Sequence, residues 1–572
     1  MTTAVGPIDA GARHRYLRRL RRWADEQIPP DKSGRDDLAR AVAARIVDAT
    51  DGTFPAPNTA DLRDVPTVPA NADVCLAGDA WALLRSSGSA RRAGAVYTPP
   101  DVARRVVDLA LARLGAIPSS IWDPAVGGGV FLVAAADALV ATGVDPDDAL
   151  VRLWGTDSDP VAIALAKAAL STWARRTGAT TSPHVDEGDA FAAPVRDVDL
   201  VVGNPPFLGQ LTAATTRSPQ EQDAAQALLG SAAGYADAAG LFLVLAVERL
   251  APGGVAALVQ PQSLLAARDA APVRQRVTAR AALHALWVID APLFAAAVHT
   301  CVPVLCAQVD HHATTSLHAG RLGVKTGSAP CPTGDAPWSS LLAEARGVPP
   351  ASGGGTRVLG DLADITADFR DAFYEVAAGV REAGDVDPDP GTGSAAVVPV
   401  GLIDVAASRW GTRPARIGGR DWERPVVDLA GLGPWAKRRL VPKVLVATQT
   451  KVVEAVADLE GVMLPLTPVI TVAPERAQCG HVLAALLDPW ATAWLLRQAS
   501  GTARSPDRLK VSAGLLRQLP IPENSEEWDE AAGSLARHGP AGVEHAARLM
   551  LRARDVDPPE ADLLMAWWSA RR

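Results

Sequence analysis

Residues 121–132 read Ile121-Trp122-Asp123-Pro124-Ala125-Val126-Gly127-Gly128-Gly129-Val130-Phe131-Leu132, and an Ala-rich run continues to Val140. The pattern predicts a short buried strand ending near Asp123, a glycine loop, and then a helix. Glycine has no Cβ, so such a loop lets backbone approach a ligand closely. The helix start supplies N–H groups that have no partner within the helix. The triplet does not have the Gly-x-Gly-x-x-Gly spacing of a dinucleotide fingerprint.

Working outward, Leu153-Trp154-Gly155-Thr156-Asp157 predicts a second strand, and Ser158-Asp159-Pro160 leads into a helix over 161–170. Asp159 suits the N-cap and Pro160 the first helical position. Asp157 is then left at the strand tip, where open α/β sheets gather ligands. Asp189, in Glu187-Gly188-Asp189-Ala190-Phe191, reads as a ligand acid or a turn aspartate. Residues 199–203 form an apolar strand that ends in Asn204-Pro205-Pro206-Phe207. A nitrogen whose lone pair is delocalised into a ring or carbonyl is a poor nucleophile, and a site that activates it needs acceptors for its N–H bonds. Asn204 offers a side-chain carbonyl and Pro205 a backbone carbonyl. The two prolines stiffen the loop, and Phe207 offers a face for a planar group. Upstream, Tyr97-Thr98-Pro99-Pro100 precedes a helix over 101–112, with Thr98 as its expected cap and Pro99 in its first turn. Further alternation (a helix over 241–250, strands at 255–259, 286–289 and 302–308) predicts an α/β, doubly wound, Rossmann-like sheet with an antiparallel strand at its end.

These five elements, in the chain order Tyr97-Thr98-Pro99, glycine loop, Asp157, Asp189 and Asn204-Pro205-Pro206-Phe207, resemble those of the gamma class of DNA adenine-N6 methyltransferases, the N12-type arrangement in which a target-recognition domain follows the catalytic domain. Type II and restriction-associated enzymes are of this kind. The likeness covers about residues 90–310 at motif level and about 355–525 more loosely. It implies S-adenosylmethionine as cofactor. Tyr97, Thr98 and Pro99 would lie over its methionine end, with Asp123, Ala125, Gly127 and Gly129 around its amino-acid end, Asp157 at its ribose and Asp189 at its adenine. It implies a catalytic set of Asn204, Pro205, Pro206 and Phe207 acting on an adenine flipped out of double-stranded DNA. Phe207 and Phe294 would stack on that base, unless Phe294 simply fills the core. The class further implies a cytoplasmic, nucleoid-associated monomer with restriction or defence proteins as candidate partners.

The chain has 572 residues, a net charge of −8, and no run of apolar residues long enough to predict a membrane span. Its five cysteines form no Cys-x-x-Cys pair and its histidines show no ligand spacing, so no metal site is expected. The acidic total argues against a uniformly basic nucleic-acid binder, but local charge is the better test. Residues 409–451 hold ten Lys/Arg against three Asp/Glu, with Trp410, Trp422 and Trp435 interleaved. Arg409, Arg413, Arg416, Lys437, Arg438, Arg439 and Lys443 are the expected DNA contacts.

The expected organisation is a helical extension over 1–88, a catalytic domain over 89–312, a Pro/Gly-rich linker over 313–355, an α+β target-recognition domain over 356–525 and a helical tail over 526–572. Within the extension, the basic stretch 13–23 reads as a helix that packs through Leu17, Leu20 and Trp23. An apolar helix is expected over 483–497. Three rivals stand beside this reading. Asn-Pro-Pro-Phe loops also occur in ribosomal-RNA guanine-N2 and release-factor glutamine methyltransferases, which are usually shorter. A fused nuclease would need an Asp/Glu-x-Lys triplet, and none of the seven lysines has one. A DNA binder that has lost catalysis would not need an intact Asn204 and glycine loop.

Overall fold

The computed structural model describes all residues except 1–9, 30–33, 51, 53, 55–61, 70–71, 86–97, 195–196, 208–218, 231–236, 291–297, 308–313, 335, 368–369, 385–386, 502–504 and 506–507. The chain divides into two compact units, residues 1–338 and 339–572.

The first unit is built on one sheet. Its strands are β1 (Ile121–Asp123), β2 (Leu153–Asp157), β3 (His184–Glu187), β4 (Val198–Gly203), β5 (Leu250–Leu258), β6 (Gln260–Pro261), β7 (Ala282–Ile289), β8 (Thr300–Cys306), β9 (Thr314–Ala319) and β10 (Val324–Pro330). They lie in the order β3-β2-β1-β4-β5-β8-β7-β9-β10, with β6 paired to β8. Strands β1 to β5 are parallel, and β8 enters antiparallel between β5 and β7. Ile121, Trp122, Leu153 and residues 200–202 are fully buried, as expected where a parallel sheet is covered on both faces. One core joins Val106, Ile121, Phe131, Leu132, Leu170, Leu200 and Trp287.

Local sequence explains the helices that position the site. Pro160–Thr177 starts where Asp159 Oδ1 accepts from Val161 N at 2.9 Å, and ends at Gly178 with φ 81°. This is the predicted start, with an end seven residues beyond the expected one. The helix expected over 101–112 runs Pro100–Leu114, with Pro99 as N-cap and Pro100 at the first position. Thr98 does not cap it.

Upstream, helices Ala10–Gln27, Arg35–Ala49 and Leu76–Leu84 bury Leu20, Trp23, Leu38, Ile46 and Leu76 together with Leu165. The basic stretch 13–23 therefore packs, and its Arg13 is interior, ion-paired with Asp73 and Asp79. The linker expected over 313–355 is not one. Strands β9 and β10 pair antiparallel and extend the sheet, and Ser339–Ala345 is a helix. The turn-forming residues in this stretch follow the strands rather than replace them. Strand β10 is an exposed edge carrying Lys325 and ending at Pro330, residues that discourage further pairing.

The second unit holds two four-stranded sheets. One orders Ala363–Ala367, Ile470–Pro474, Lys443–Val446 and Ala455–Asp458. The other orders Arg381–Glu382, Pro425–Asp428, Ser394–Val398 and Met463–Pro465. The single helix expected over 483–497 is two, Cys479–Leu486 and Pro489–Ala499. Pro489 cannot donate to the preceding turn, and Asp488 accepts from Trp490 N and Ala491 N to start the second helix. Residues 526–572 are no appended tail, since Trp528, Leu535, Met550 and Trp568 enter the same core as Val444, Val472, Leu486 and Trp490. Among the described residues, no single helix is long and apolar enough to cross a membrane.

Asp488 and Arg554 are fully buried and paired at 2.5 Å, with the guanidinium 4.2 Å from the Trp490 ring. Burial pushes the Asp488 carboxyl up, and Arg554 opposes that. Removing one partner leaves an uncompensated interior charge. Arg554→Met should therefore destabilise the protein by about 3–5 kcal/mol, read as a lowered urea midpoint. Asp488→Asn with Arg554→Met together should recover much of the loss.

Candidate active site

Asp123, the glycine loop, Asp157, Asp189 and Asn204 all lie at or just beyond the carboxyl ends of β1 to β4. This is the edge where open α/β sheets bind ligands. The loop is held at both ends. Val126 N donates to Thr156 O at 3.0 Å and Gly129 N to Val126 O at 2.8 Å. Gly127 has φ 52° and Gly129 φ 85°, the left-handed region that favours glycine. A Cβ built on Gly129 would meet Ala166 Cα at 3.2 Å, so helix Pro160–Thr177 can approach only because the side chain is absent. Among the described residues, a Cβ on Gly127 would meet Ala125 O alone, at 3.9 Å.

Asp157 Oδ2 accepts from Gly127 N and Oδ1 from Asp159 N, each at 2.9 Å. Burial pushes its carboxyl up and nearby Asp159 adds to this; the two backbone N–H groups and Arg85 act the other way. Asp123 is fully buried. Its Oδ1 accepts from Ala125 N at 3.0 Å, while its Oδ2 is buried with no hydrogen-bond partner among the described residues. Burial pushes the Asp123 carboxyl up to about 8, with Asp157 adding to the effect. Asp189 accepts from Phe191 N at 2.9 Å, forming a turn while its side chain stays half-exposed.

At the end of β4, Asn204 Nδ2 donates to the Thr98 hydroxyl at 2.9 Å. Thr98 is nearly buried, so this contact is shielded from water. Pro205 is buried, and Pro206 and Phe207 are half-buried, Phe207 lying against the sheet's core. The structure thus brings Thr98, Pro99, Asp123, Ala125, Gly127, Gly129, Asp157, Asp189 and Asn204–Phe207 to one edge. Tyr97 and Phe294 fall outside the described residues. Sequence reading missed Arg85, whose guanidinium lies 3.6 Å from Asp159. It also missed that Thr98 meets Asn204. Both are contacts between residues distant in sequence, with no local pattern to mark them.

In the second unit, Arg409, Arg413, Arg416, Lys437 and Arg438 are exposed and Arg439 is half-buried. Arg409 is engaged by Asp404 at 2.5 Å. Lys443, expected to contact DNA, is instead fully buried and paired with Asp458 at 2.5 Å, because it lies in the central strand 443–446 with its side chain facing inward. The interleaved tryptophans serve packing. Trp435 donates to Glu375, Trp410 to Pro425 O and Trp422 to Ile417 O. A cavity of about 840 Å³ is lined by Arg409, Arg413, Lys451 and Arg508, with Asp404 and Glu454. Burial, with Asp404 beside it, pushes the Glu454 carboxyl up to about 7.

Residues 78–317 match the N-6 DNA methylase family. The chain is 35% identical over 117 residues to the type I restriction enzyme MjaIX methylase subunit of Methanocaldococcus jannaschii, covering 20% of this chain and 19% of that protein. It is 32% identical over 149 residues to the type II methyltransferase M.XamI of Xanthomonas campestris pv. amaranthicola, covering 26% of each. The matches thus span about a fifth to a quarter of these curated relatives. Among solved structures, the type IIL restriction-modification enzyme MmeI in complex with DNA superposes with a TM-score of 0.57 at 10% identity, over 99% of this chain and 96% of that one. That likeness is one of fold.

The buried Asp123 makes stability depend on pH. Its folded-state value of about 8 lies above its ordinary 3.8, so its contribution is fully present below about pH 4 and is lost as pH rises to about 8. Asp123→Asn should keep the stability that the natural carboxyl loses. Urea midpoints should show the variant pulling ahead of the wild type between about pH 5 and 8, with the gap constant above that. A constant gap across the range would refute the assignment.

Proposed function

We propose that this chain, whose residues 78–317 match the N-6 DNA methylase family, transfers a methyl group from S-adenosylmethionine to the exocyclic N6 of a flipped adenine in double-stranded DNA. We read it as the modification component of a restriction-modification system. The observation that carries this reading is Asn204, at the mouth of β4 beside the glycine loop, with its amide nitrogen committed to Thr98. In that orientation the amide nitrogen is turned toward Thr98 and the oxygen away from it. The oxygen is then the acceptor that a substrate amino group would meet.

The residues fit the cofactor. S-adenosylmethionine supplies an electrophilic methyl group and carries an ammonium. The buried Asp123 Oδ2 and the loop at Gly127 suit that end, and Asp157 and Asp189 suit hydroxyl and amino donors. Asn204 and the Pro205 carbonyl accept from the target N–H groups. They thereby favour a nitrogen with a localised lone pair and stabilise the positive charge that develops on it. Phe207 supports the base against unstacking, which costs a few kcal/mol. Asn204 removes no proton in this scheme.

On the DNA side, the exposed Arg413, Arg416, Lys437 and Arg438 suit phosphate contacts. A separate nuclease is the partner that such a system would use.

The test is transfer of labelled methyl to unmethylated duplex DNA, with the product nucleoside identified by mass spectrometry. N6-methyladenine is expected. N4-methylcytosine would overturn the base assignment, and label in ribosomal RNA or protein would overturn the substrate. Asn204→Ala should abolish transfer and leave cofactor affinity unchanged. Thr98→Val should lower kcat roughly tenfold, the worth of one orienting hydrogen bond, with KM for the cofactor little changed.

A further inference from the structure

Helix Leu76–Leu84 lies upstream of every element of the candidate site, yet it touches the glycine loop. A Cβ built on Gly78 would come within 2.8 Å of Gly128 Cα, and one built on Gly128 within 2.8 Å of Gly78 Cα. The two backbones are in direct contact, and no other residue fits at either position without moving the loop. At the helix's carboxyl end, the Arg85 side chain is 3% exposed. Its Nη1 lies 3.6 Å from Asp159 Oδ2, and its charge also acts on Asp157. Arg85 N donates to Trp81 O, and Leu84 O accepts from Arg35 Nε at 2.6 Å, so the segment that carries the guanidinium is pinned.

The three acids of the site, Asp123, Asp157 and Asp159, crowd one another. Asp157 holds the glycine loop through Gly127 N only as an acceptor, and burial together with Asp159 disfavours its charged form. Arg85 is the cation that opposes this. We propose that Gly78 and Arg85 are positioning residues of the cofactor site, Gly78 by setting the depth of the glycine loop and Arg85 by bracing, through its ion pair with Asp159, the acidic turn from which Asp157 grips Gly127. Neither residue touches the reacting atoms. They act through Gly128 and Asp157. The inference rests on the S-adenosylmethionine reading of this edge. It extends that reading to a helix whose sequence gives no hint of a ligand.

Among the described residues, the titratable groups that act with Asp157 are Asp123 from β1, Asp159 from its own loop and Arg85 at the end of helix Leu76–Leu84, with Asp36 acting on Arg85 from helix Arg35–Ala49. With Arg85 removed, Asp157 takes up its proton at higher pH. The acid limb of cofactor binding then moves upward.

The experiment is isothermal titration of the full-length wild type and of the Arg85→Gln, Arg85→Lys and Gly78→Ala variants. Each is titrated with S-adenosylmethionine across a pH series, and separately with duplex DNA. Arg85→Gln should weaken cofactor binding, with a larger loss at acid than at alkaline pH. It should move the acid limb upward and leave DNA affinity unchanged. Arg85→Lys should restore most of the affinity. Gly78→Ala should weaken cofactor binding with no movement of the acid limb, because its effect is steric. Wild-type cofactor affinity and pH profile in Arg85→Gln would overturn the inference. So would a parallel loss of DNA and cofactor binding in both variants, which would mark them as scaffold residues. Wild-type protein that binds no S-adenosylmethionine would instead overturn the reading of the edge on which the inference rests.

Discussion

The carboxylate of Asp157 accepts from Gly127 N and from Asp159 N, at 2.9 Å each, and the shape of the site follows from that double grip. One bond fixes the glycine loop after β1. The other fixes the turn after β2 and sets Asp159 to cap helix Pro160–Thr177. That helix in turn presses Ala166 against Gly129, where any side chain on the glycine would collide. A single acid thus ties two strand ends, a loop and a helix into one rigid edge. A binding site built on regular elements holds its geometry better than one built on free loops.

The grip comes with an electrostatic cost. Asp123 and Asp157 sit at neighbouring strand ends; Asp157 disfavours the charge of Asp123, and Asp159 that of Asp157, on top of the burial penalty. Among the described residues, Arg85 at 3.6 Å from Asp159 supplies opposing charge from outside the sheet. An acid-rich edge of this kind discriminates by charge. It is poorly suited to phosphate-bearing dinucleotides and well suited to a ligand that brings an ammonium or neutral hydroxyl and amino donors. The departure of Gly127-Gly128-Gly129 from the dinucleotide spacing and the acidity of the edge therefore point the same way.

Much of the first unit was legible because its signals are local. Asp159-Pro160 specifies a helix start by itself, and apolar runs such as 200–202 specify strands buried on both faces. The failures have physical causes of the same local origin. Residues 314–330 lack a clean apolar alternation because β10 is the sheet's exposed edge strand and β9, beside it, is only partly buried, so composition suggested a linker. Asp488-Pro489 sits in the middle of an apolar run, and hydrophobicity alone hides the break that proline and a capping acid enforce. Lys443 shows the limit of counting cations. Its neighbours Val444, Leu445 and Val446 declared a buried strand, and the charge followed them into the core because Asp458 stood on the adjacent strand to receive it. Basic density between 409 and 451 therefore overstates the charge offered to a ligand.

Thr98 shows how one local choice frees a residue for function. A helix start normally leaves N–H groups to be satisfied, and a threonine placed before it is the expected partner. Here Pro100 occupies the first helical position and brings no N–H. Val102 N and Ala103 N both donate to Pro99 O at 3.0 Å. Only the Asp101 N–H at the helix start is left for other partners. The need for a side-chain cap is thereby reduced, and the Thr98 hydroxyl accepts from Asn204 Nδ2 instead. The paired prolines thus do more than break one element and start the next. They relieve the threonine before them of its structural duty, and the hydroxyl so released orients the amide at the mouth of β4.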